Sequence, residues 1–178
     1  MASTPQSAVQ YSVNRLTVQT HSTPAEFRSR YEEAVPPLPA AQVAALVQQQ
    51  APWQEMVDLV AAAAPHGFLI YFKNDVDPVV RLAGDRASGV AYLMGNHITM
   101  ERMYRYQPAA LMYAPLHTVI WGDPEGPGYF TVDKPSDQFG SFGDPRITAV
   151  GVELDQKLAA LLEHLNLRVP GELLTGVS

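Results

Sequence analysis

The sequence predicts a single α+β domain in which an antiparallel or mixed sheet carries helices packed on one face. Predicted strands alternate with predicted helices along the chain, which argues against an all-β barrel. A hairpin over residues 116–132 and short connections argue against a doubly wound parallel sheet. The chain has 178 residues. A domain of that size buries roughly 70% of its unfolded surface, so one core holds it together without disulfides or a structural metal.

The N-terminal third predicts one strand and three helices. Residues 1–10 are small and polar, and we expect a disordered lead-in there, before a domain that spans residues 11–166. Residues 11–18 alternate β-forming and polar side chains, as a half-buried strand does. Thr23 and Pro24 predict a helix start, and the prolines within residues 36–39 predict its end. Further helices are expected over residues 40–50 and 53–64.

The middle of the chain predicts the rest of the sheet. Residues 68–72 form a continuous apolar strand, and Asp77 with Pro78 begins a short helix. A strand over residues 89–94 ends at Gly95, after which Asn96 caps a helix over residues 97–106. Strands over residues 116–121 and 129–132 flank a hairpin loop that contains two prolines and two acidic residues.

The C-terminal part predicts one long helix. Asp144 and Pro145 begin it, and a stripe of apolar side chains continues to about residue 166. Residues 137–143 before it are interpreted as a flexible loop and a candidate lid. Residues 167–178 are expected to be a weakly structured C-terminal tail.

Composition excludes several classes of function. The chain has no cysteine, which removes disulfide frameworks, thiolate metal sites and cysteine nucleophiles. Its net charge is -6 and no Lys/Arg cluster stands out, so nucleic acid is not expected as a ligand. The N-terminus lacks the pattern of a signal peptide, and no window is apolar enough to span a membrane. We therefore expect a soluble, cytoplasmic protein with no membrane partner.

Two segments resemble a known bacterial family. Residues 92–97 (YLMGNH) and 111–120 (LMYAPLHTVI) are followed by an acidic loop at 123–126 and an Asp-x-Pro turn at 133–135. This combination resembles the family named domain of unknown function 302, over roughly residues 11–20 and 53–166. The resemblance implies a compact α+β fold of the TATA-box-binding-protein-like type, often dimeric, and no established activity. It also makes residues 24–50 a helical insertion, and His97 stands where the family pattern has proline.

His97 is the first candidate functional residue. As the first residue of a capped helix it lies near the positive end of the helix dipole, which disfavours the imidazolium. A neutral ring can accept a proton or ligate a metal, so His97 is a candidate acid/base and a candidate metal or haem ligand. Glu101, one helical turn later, would assist it in catalysis. The alternative is that His97 is a tolerated replacement at a structural position that also suits proline.

Methionine and tyrosine side chains cluster around His97 and predict a pocket. Thioethers line adaptable apolar pockets, and tyrosine combines apolar area with one hydroxyl. His117 begins the following strand and is expected to face the same space. The candidate ligand-binding residues are Tyr92, Met94, Asn96, Met100, Met103, Tyr104, Met112, Tyr113 and His117. The alternative for each methionine taken alone is an ordinary core position.

Three hypotheses of function follow from this cluster. The first is a small-molecule-binding protein, expected to be a homodimer in keeping with the resemblance, whose Met/Tyr-rich pocket takes a small hydrophobic or flat ligand. The second is a haem- or metal-dependent enzyme that uses His97 as ligand or acid/base, with haem as the candidate cofactor. The third is a structural homodimer or interaction module in which the Met/Tyr-rich stretch forms the interface.

Overall fold

The computed structural model describes residues 7–174, and within them five strands form one antiparallel sheet in the order β1-β5-β4-β3-β2. The strands are β1 Arg15–Gln19, β2 Leu69–Asp75, β3 Ser88–Gly95, β4 Leu116–Gly122 and β5 Gly128–Asp133. The helices are α1 Pro24–Ala34, α2 Ala40–Gln48, α3 Trp53–Ala63, α4 Asp77–Leu82, α5 His97–Tyr104, α6 Pro135–Gly140 and α7 Pro145–His164. Two 3-10 turns cover Pro108–Met112 and Gly171–Leu173.

The fold is the predicted α+β class, with an open sheet covered by helices on one face. Alternate residues of each strand are buried on this inner face, as in β3, where Val90, Tyr92 and Met94 are fully buried. Helices α1 and α7 supply the opposing apolar side chains and join the strands in one core. Within residues 7–174, no helix is long and apolar enough to cross a membrane.

The outer face of the sheet has no helical layer among the described residues. Phe72 is 57% exposed and Trp121 is 41% exposed. Trp121 stacks on Tyr129 of the neighbouring strand, with ring centroids 4.7 Å apart, and donates a hydrogen bond to Thr131. The outer face thus carries exposed aromatic side chains on β2 and β4, although only the inner face is covered by helices.

Helix α1 is a central part of the fold. It begins at the predicted Thr23 cap, and the structure adds a capping box in which Thr23 and Glu26 bond each other's backbone N–H groups. Phe27 and Tyr31 project from α1 onto the sheet and are fully buried. Residues 24–34 thus belong to the main core, whereas α2 has no buried residue.

A second, smaller core joins α2 and α3 to the edge of the sheet. Met56, Val60 and Ala64 pack against Leu69 at the start of β2. Within α3, Met56 and Val60 are buried, whereas Trp53 at the start of the helix is 49% exposed. These two helices therefore flank the N-terminal end of β2.

Three local predictions differ from the structure. The first strand begins at Arg15 instead of residue 11, because only from there does the chain pair with β5. Residues 137–143 contain the end of α6 instead of a flexible loop, since Phe139 is fully buried against α7. The described part of the C-terminal tail packs on the core through Leu167 and Leu173. Residues 1–6 of the expected lead-in and 175–178 of the tail lie outside the described residues.

Candidate functional site

A cavity of about 190 Å³ lies between the end of β3, helices α5, α6 and α7, and the segment before β4. Met94, Met103 and Phe139 are fully buried and form its inner part. Half-buried side chains, including Met100 and His97, mark the side on which it opens to solvent. The residues that line it are Tyr71, Met94, Gly95, Asn96, His97, Thr99, Met100, Met103, Leu111, Ala114, Pro115, Leu116, Phe139 and Leu154.

The N-terminus of α5 is fixed by Asn96. Its side-chain oxygen accepts a hydrogen bond from the backbone N–H of Thr99 at 2.7 Å, and its amide group donates to the carbonyl oxygen of Gly67 at 2.5 Å. Because the buried Asn96 side chain makes hydrogen bonds to both Thr99 and Gly67, the cap fixes the position at which α5 begins. His97, Met100 and Met103 then follow at spacings of three residues on the face of α5 that borders the cavity.

His97 is paired with Tyr71 of β2. The Tyr71 hydroxyl lies 3.1 Å from Nδ1 of His97, and the two rings are 5.1 Å apart. Burial lowers the pKa of His97, and burial also raises the pKa of Tyr71. Both groups are therefore neutral at neutral pH. When Nδ1 of His97 accepts a hydrogen bond from the Tyr71 hydroxyl, the neutral ring carries its proton on Nε2. The pair then offers one ring N–H donor, at Nε2.

A β-bulge explains why Tyr71 reaches His97. Ile70 pairs with Met94 and Phe72 pairs with Leu93, so Tyr71 is the extra residue between two consecutive pairs. A bulge bends its strand and redirects the side chain that it carries. Tyr71 thereby leaves the alternating pattern of β2 and packs beside Ile98 in the smaller core.

The structure brings five of the candidate residues to the cavity. Met94, Asn96, His97, Met100 and Met103 all line it. Sequence reasoning found them because they lie within ten positions around one helix start. It missed Tyr71, Thr99, Phe139 and Leu154, which also line the cavity and which, apart from Thr99, come from distant parts of the chain.

The other candidate residues lie elsewhere. Tyr92 is in the core beneath α1 and donates a hydrogen bond to Glu32 at 2.6 Å. Tyr113 packs on Phe139 from outside the lining. Tyr104 is 46% exposed and Met112 is 78% exposed. His117 is exposed on the outer face of the sheet, opposite Leu93.

Glu101 does not stand beside His97 as an acid/base partner. Its carboxylate accepts hydrogen bonds from the guanidinium of Arg105 at 2.6 Å, one helical turn further along α5. It is not among the residues that line the cavity. The i, i+4 spacing that placed it near His97 in the sequence instead serves this surface ion pair.

The residues of the site do not fit a haem group or a metal cluster. An apolar cavity of about 150 Å³ holds one benzene molecule. The 190 Å³ found here is therefore too small for a porphyrin with its four pyrrole rings. Among the described residues, no three His, Cys, Asp or Glu side chains come together as a metal site.

Comparison with known proteins supports the fold. The structure is similar to the crystal structure of an uncharacterized conserved protein, DUF302, from Bacillus stearothermophilus, with a TM-score of 0.60 and 18% sequence identity. The match covers 85% of this chain and 97% of that chain. No protein-family model and no curated protein matches the sequence. The likeness that residues 92–97 and 111–120 suggested is thus confirmed as a structural match.

Proposed function

We propose that the protein binds a small hydrophobic or flat ligand in the cavity beside His97. The observation that carries the proposal is a cavity of about 190 Å³ whose inner part is apolar and whose open side presents the Tyr71–His97 pair. Ligand sites generally combine an apolar lining with a few polar groups that fix orientation. A molecule with one aromatic ring matches this volume.

The methionines provide a direct test of the proposal. Toluene is added to protein labelled with ¹³C in its methionine methyl groups, and the methyl resonances are followed by NMR. Those of Met94, Met100 and Met103, which line the cavity, are expected to shift in a saturable manner. Met56 in the smaller core and Met112, which is 78% exposed, serve as controls and should not move. Uniform shifts or none at all would contradict the proposal.

A blocking variant tests the same site independently. Met100→Phe places a larger side chain at the cavity and should weaken toluene binding. Met112→Phe is the matched control, because it makes the same substitution outside the lining. Equal affinities of the two variants for toluene would place the binding site elsewhere.

A second candidate function is acid–base catalysis by His97. It is favoured by the 3.1 Å contact between Tyr71 and Nδ1, which orients a neutral imidazole at the edge of an apolar cavity. Hydrolysis of 4-nitrophenyl acetate is a suitable probe of such a ring. His97→Gln should abolish any rate above background, whereas His117→Gln, on the outer face, should leave it unchanged. Equal rates in the two variants would remove this candidate.

The homodimer is a further proposal, and the outer face of the sheet supports it better than the Met/Tyr-rich stretch does. Met100 and Met103 line the cavity, whereas Phe72 and Trp121 are exposed on the outer face. Large exposed apolar groups on one face are typical of an interaction site. Light scattering should give twice 19.5 kDa for the wild type and 19.5 kDa for Trp121→Glu. A monomeric wild type would reject the dimer.

A further inference from the structure

Lys157 is a half-buried cation next to the cavity. It lies on α7 three residues after Leu154, which lines the cavity, so both side chains are on the same side of the helix. Its Nζ is 3.4 Å from Oγ1 of Thr99, another lining residue. The lysine stem passes close to Gly67, where an added Cβ would come within 3.4 Å of Lys157 Cδ.

No described carboxylate forms an ion pair with Lys157. The nearest acidic group is Glu153, one helical turn earlier, and both of its oxygens accept hydrogen bonds from Arg102 at 2.6 Å. Burial lowers the pKa of Lys157, Glu153 raises it, and the charge of Arg102 lowers it further. The ammonium group is thus held beside the cavity without a neutralising partner of its own.

The Lys157 ammonium group determines whether the Thr99 hydroxyl donates or accepts in their contact. An ammonium group can only donate, so Oγ1 of Thr99 is the acceptor in their contact. The hydroxyl proton of Thr99 is then available to an acceptor in the cavity. Asn96, which also lines the cavity, accepts the backbone N–H of Thr99 and donates one of its two amide N–H groups to the carbonyl oxygen of Gly67.

The cavity also lacks acidic groups. None of its described lining residues is Asp or Glu, although the chain as a whole carries a net charge of -6. Its polar side chains are the Thr99 hydroxyl, the Asn96 amide, the neutral His97 ring and the Tyr71 hydroxyl. A negatively charged oxygen inside would meet donors and one nearby cation, and no like charge from the lining.

From this arrangement, and on the basis of the proposed small-molecule function, we propose that the ligand is a small apolar weak acid, a phenol or a carboxylic acid, bound as its anion. Its oxygen accepts a hydrogen bond from the Thr99 hydroxyl beside the Lys157 ammonium group, and its apolar part lies among the methionines. A charged hydrogen-bond network of this kind is stronger than its neutral counterpart.

The test compares a phenol with its neutral analogue. 4-Nitrophenol is titrated into the full-length protein and the absorbance of the phenolate is followed, with 4-nitrotoluene as the uncharged analogue. Binding of the anion should increase the phenolate band at fixed pH, and affinity for 4-nitrophenolate should exceed that for 4-nitrotoluene by about tenfold or more.

Two pairs of variants identify the groups responsible. Lys157→Met should reduce the affinity for 4-nitrophenolate about tenfold and leave toluene binding intact. Lys73→Met is the matched control, because the ammonium group of Lys73 pairs with Glu32 at 2.6 Å and Glu32 does not line the cavity, whereas the partner of Lys157, Thr99, does. Thr99→Val removes the hydroxyl at constant shape, and Thr99→Ser retains it, so only the former should lose the preference for the anion.

The possible failures of the two proposals are distinguishable. If toluene shifts the methionine resonances but 4-nitrophenolate binds no tighter than 4-nitrotoluene, the anion inference is overturned and the apolar pocket remains. If neither compound perturbs the methionines that line the cavity, the pocket itself is rejected. Tight 4-nitrophenolate binding that is unchanged in both Lys157→Met and Thr99→Val would also overturn the inference.

Discussion

At the scale of single residues, Tyr31 and Thr118 place two hydroxyl groups in contact inside the apolar core. The side chain is fully buried, and its hydroxyl lies 3.2 Å from Oγ1 of Thr118 and 3.2 Å from the sulfur of Met94. Thr118 is also fully buried, in the middle of β4. Each hydroxyl is therefore the partner that makes burial of the other acceptable.

Removal of one member of this pair should be costly. Tyr31→Phe leaves the Thr118 hydroxyl buried without its partner, which costs about 1–3 kcal/mol in the free energy of unfolding. The double variant Tyr31→Phe/Thr118→Val removes both groups and should recover most of that loss. Urea denaturation measures the free energy of unfolding of the wild type and of both variants. Tyr104→Phe is the control on an exposed tyrosine, and an equal loss there would contradict the explanation.

His97 makes stability depend on pH in a defined direction. Burial lowers its pKa below 6.5 in the folded state, so the unfolded chain binds more protons in the window between the two values. The contribution of neutral His97 to the free energy of unfolding is therefore fully present above pH 6.5, and it decreases as the pH falls through this window. His66 has a pKa lowered by burial and by His164, and it contributes in the same direction.

Denaturation at several values across about pH 5 to 8 should show this dependence. His97→Gln should reduce the loss of stability on acidification without abolishing it, because His66 remains. A wild-type protein that becomes more stable on acidification in this range would refute the assignment.

Which site residues could be predicted from sequence depended on whether the relevant signal was local. Asn96, His97, Met100 and Met103 belong to one helix start, so a cap and a three-residue spacing were enough to group them. Tyr71 could not be grouped with them, because its position depends on a bulge that only the pairing with β3 creates. Met112 was included only because it is near in sequence, and it is 78% exposed.

At the scale of elements, the contact between α6 and α7 depends on a glycine. A Cβ added at Gly151 of α7 would lie 2.9 Å from Cα of Ser136 and 3.1 Å from Cβ of Phe139. Asp155, one turn later, accepts a hydrogen bond from the backbone N–H of Ser136 at 3.0 Å. The close approach thus aligns the start of α6 with this carboxylate and holds Phe139 against the cavity.

Gly151→Ala should therefore be destabilising, although alanine is the better helix former by about 1 kcal/mol. The clash with backbone atoms of α6 should cost about 1–3 kcal/mol in the free energy of unfolding. Gly140→Ala is the control, because its Cβ would meet only Thr148 Cγ2 at 4.0 Å. Thermal unfolding of both variants decides the matter, and a stabilised Gly151→Ala would show that α6 shifts without cost.

Elements with local start signals were predicted well, and those that depend on tertiary contacts were not. Thr23, Asn96 and Asp144 each cap the helix that the sequence assigned to them. Helix α6 was predicted as loop because residues 135–140 form a helix too short to show a periodic pattern. Two tertiary contacts hold it in place: Phe139 of α6 is buried in the main core, and Asp155 of α7 accepts a hydrogen bond from the backbone N–H of Ser136. Neither contact can be read from the sequence.

At the scale of the whole molecule, the two faces of the sheet should respond differently to the same substitution. Phe130 is fully buried on the inner face, whereas Phe72 is 57% exposed on the outer face. Phe130→Ala should cost about 3–5 kcal/mol in the free energy of unfolding. Phe72→Ala should stay within about 0.5 kcal/mol if the molecule is a monomer. Urea denaturation at two protein concentrations checks both, and a large, concentration-dependent loss for Phe72→Ala would indicate that the outer face is covered.

The cavity beside α5 also affects how the molecule responds to hydrostatic pressure. Unfolding eliminates internal voids, so the buried inner part of the cavity, around Met94 and Met103, should add to the volume that the chain loses when it unfolds, and compression favours that change. A molecule seated among Met94, Met100 and Met103 would remove much of this volume difference. Occupancy of the cavity would therefore determine how much compression the native state withstands, independently of any gain in affinity or heat resistance.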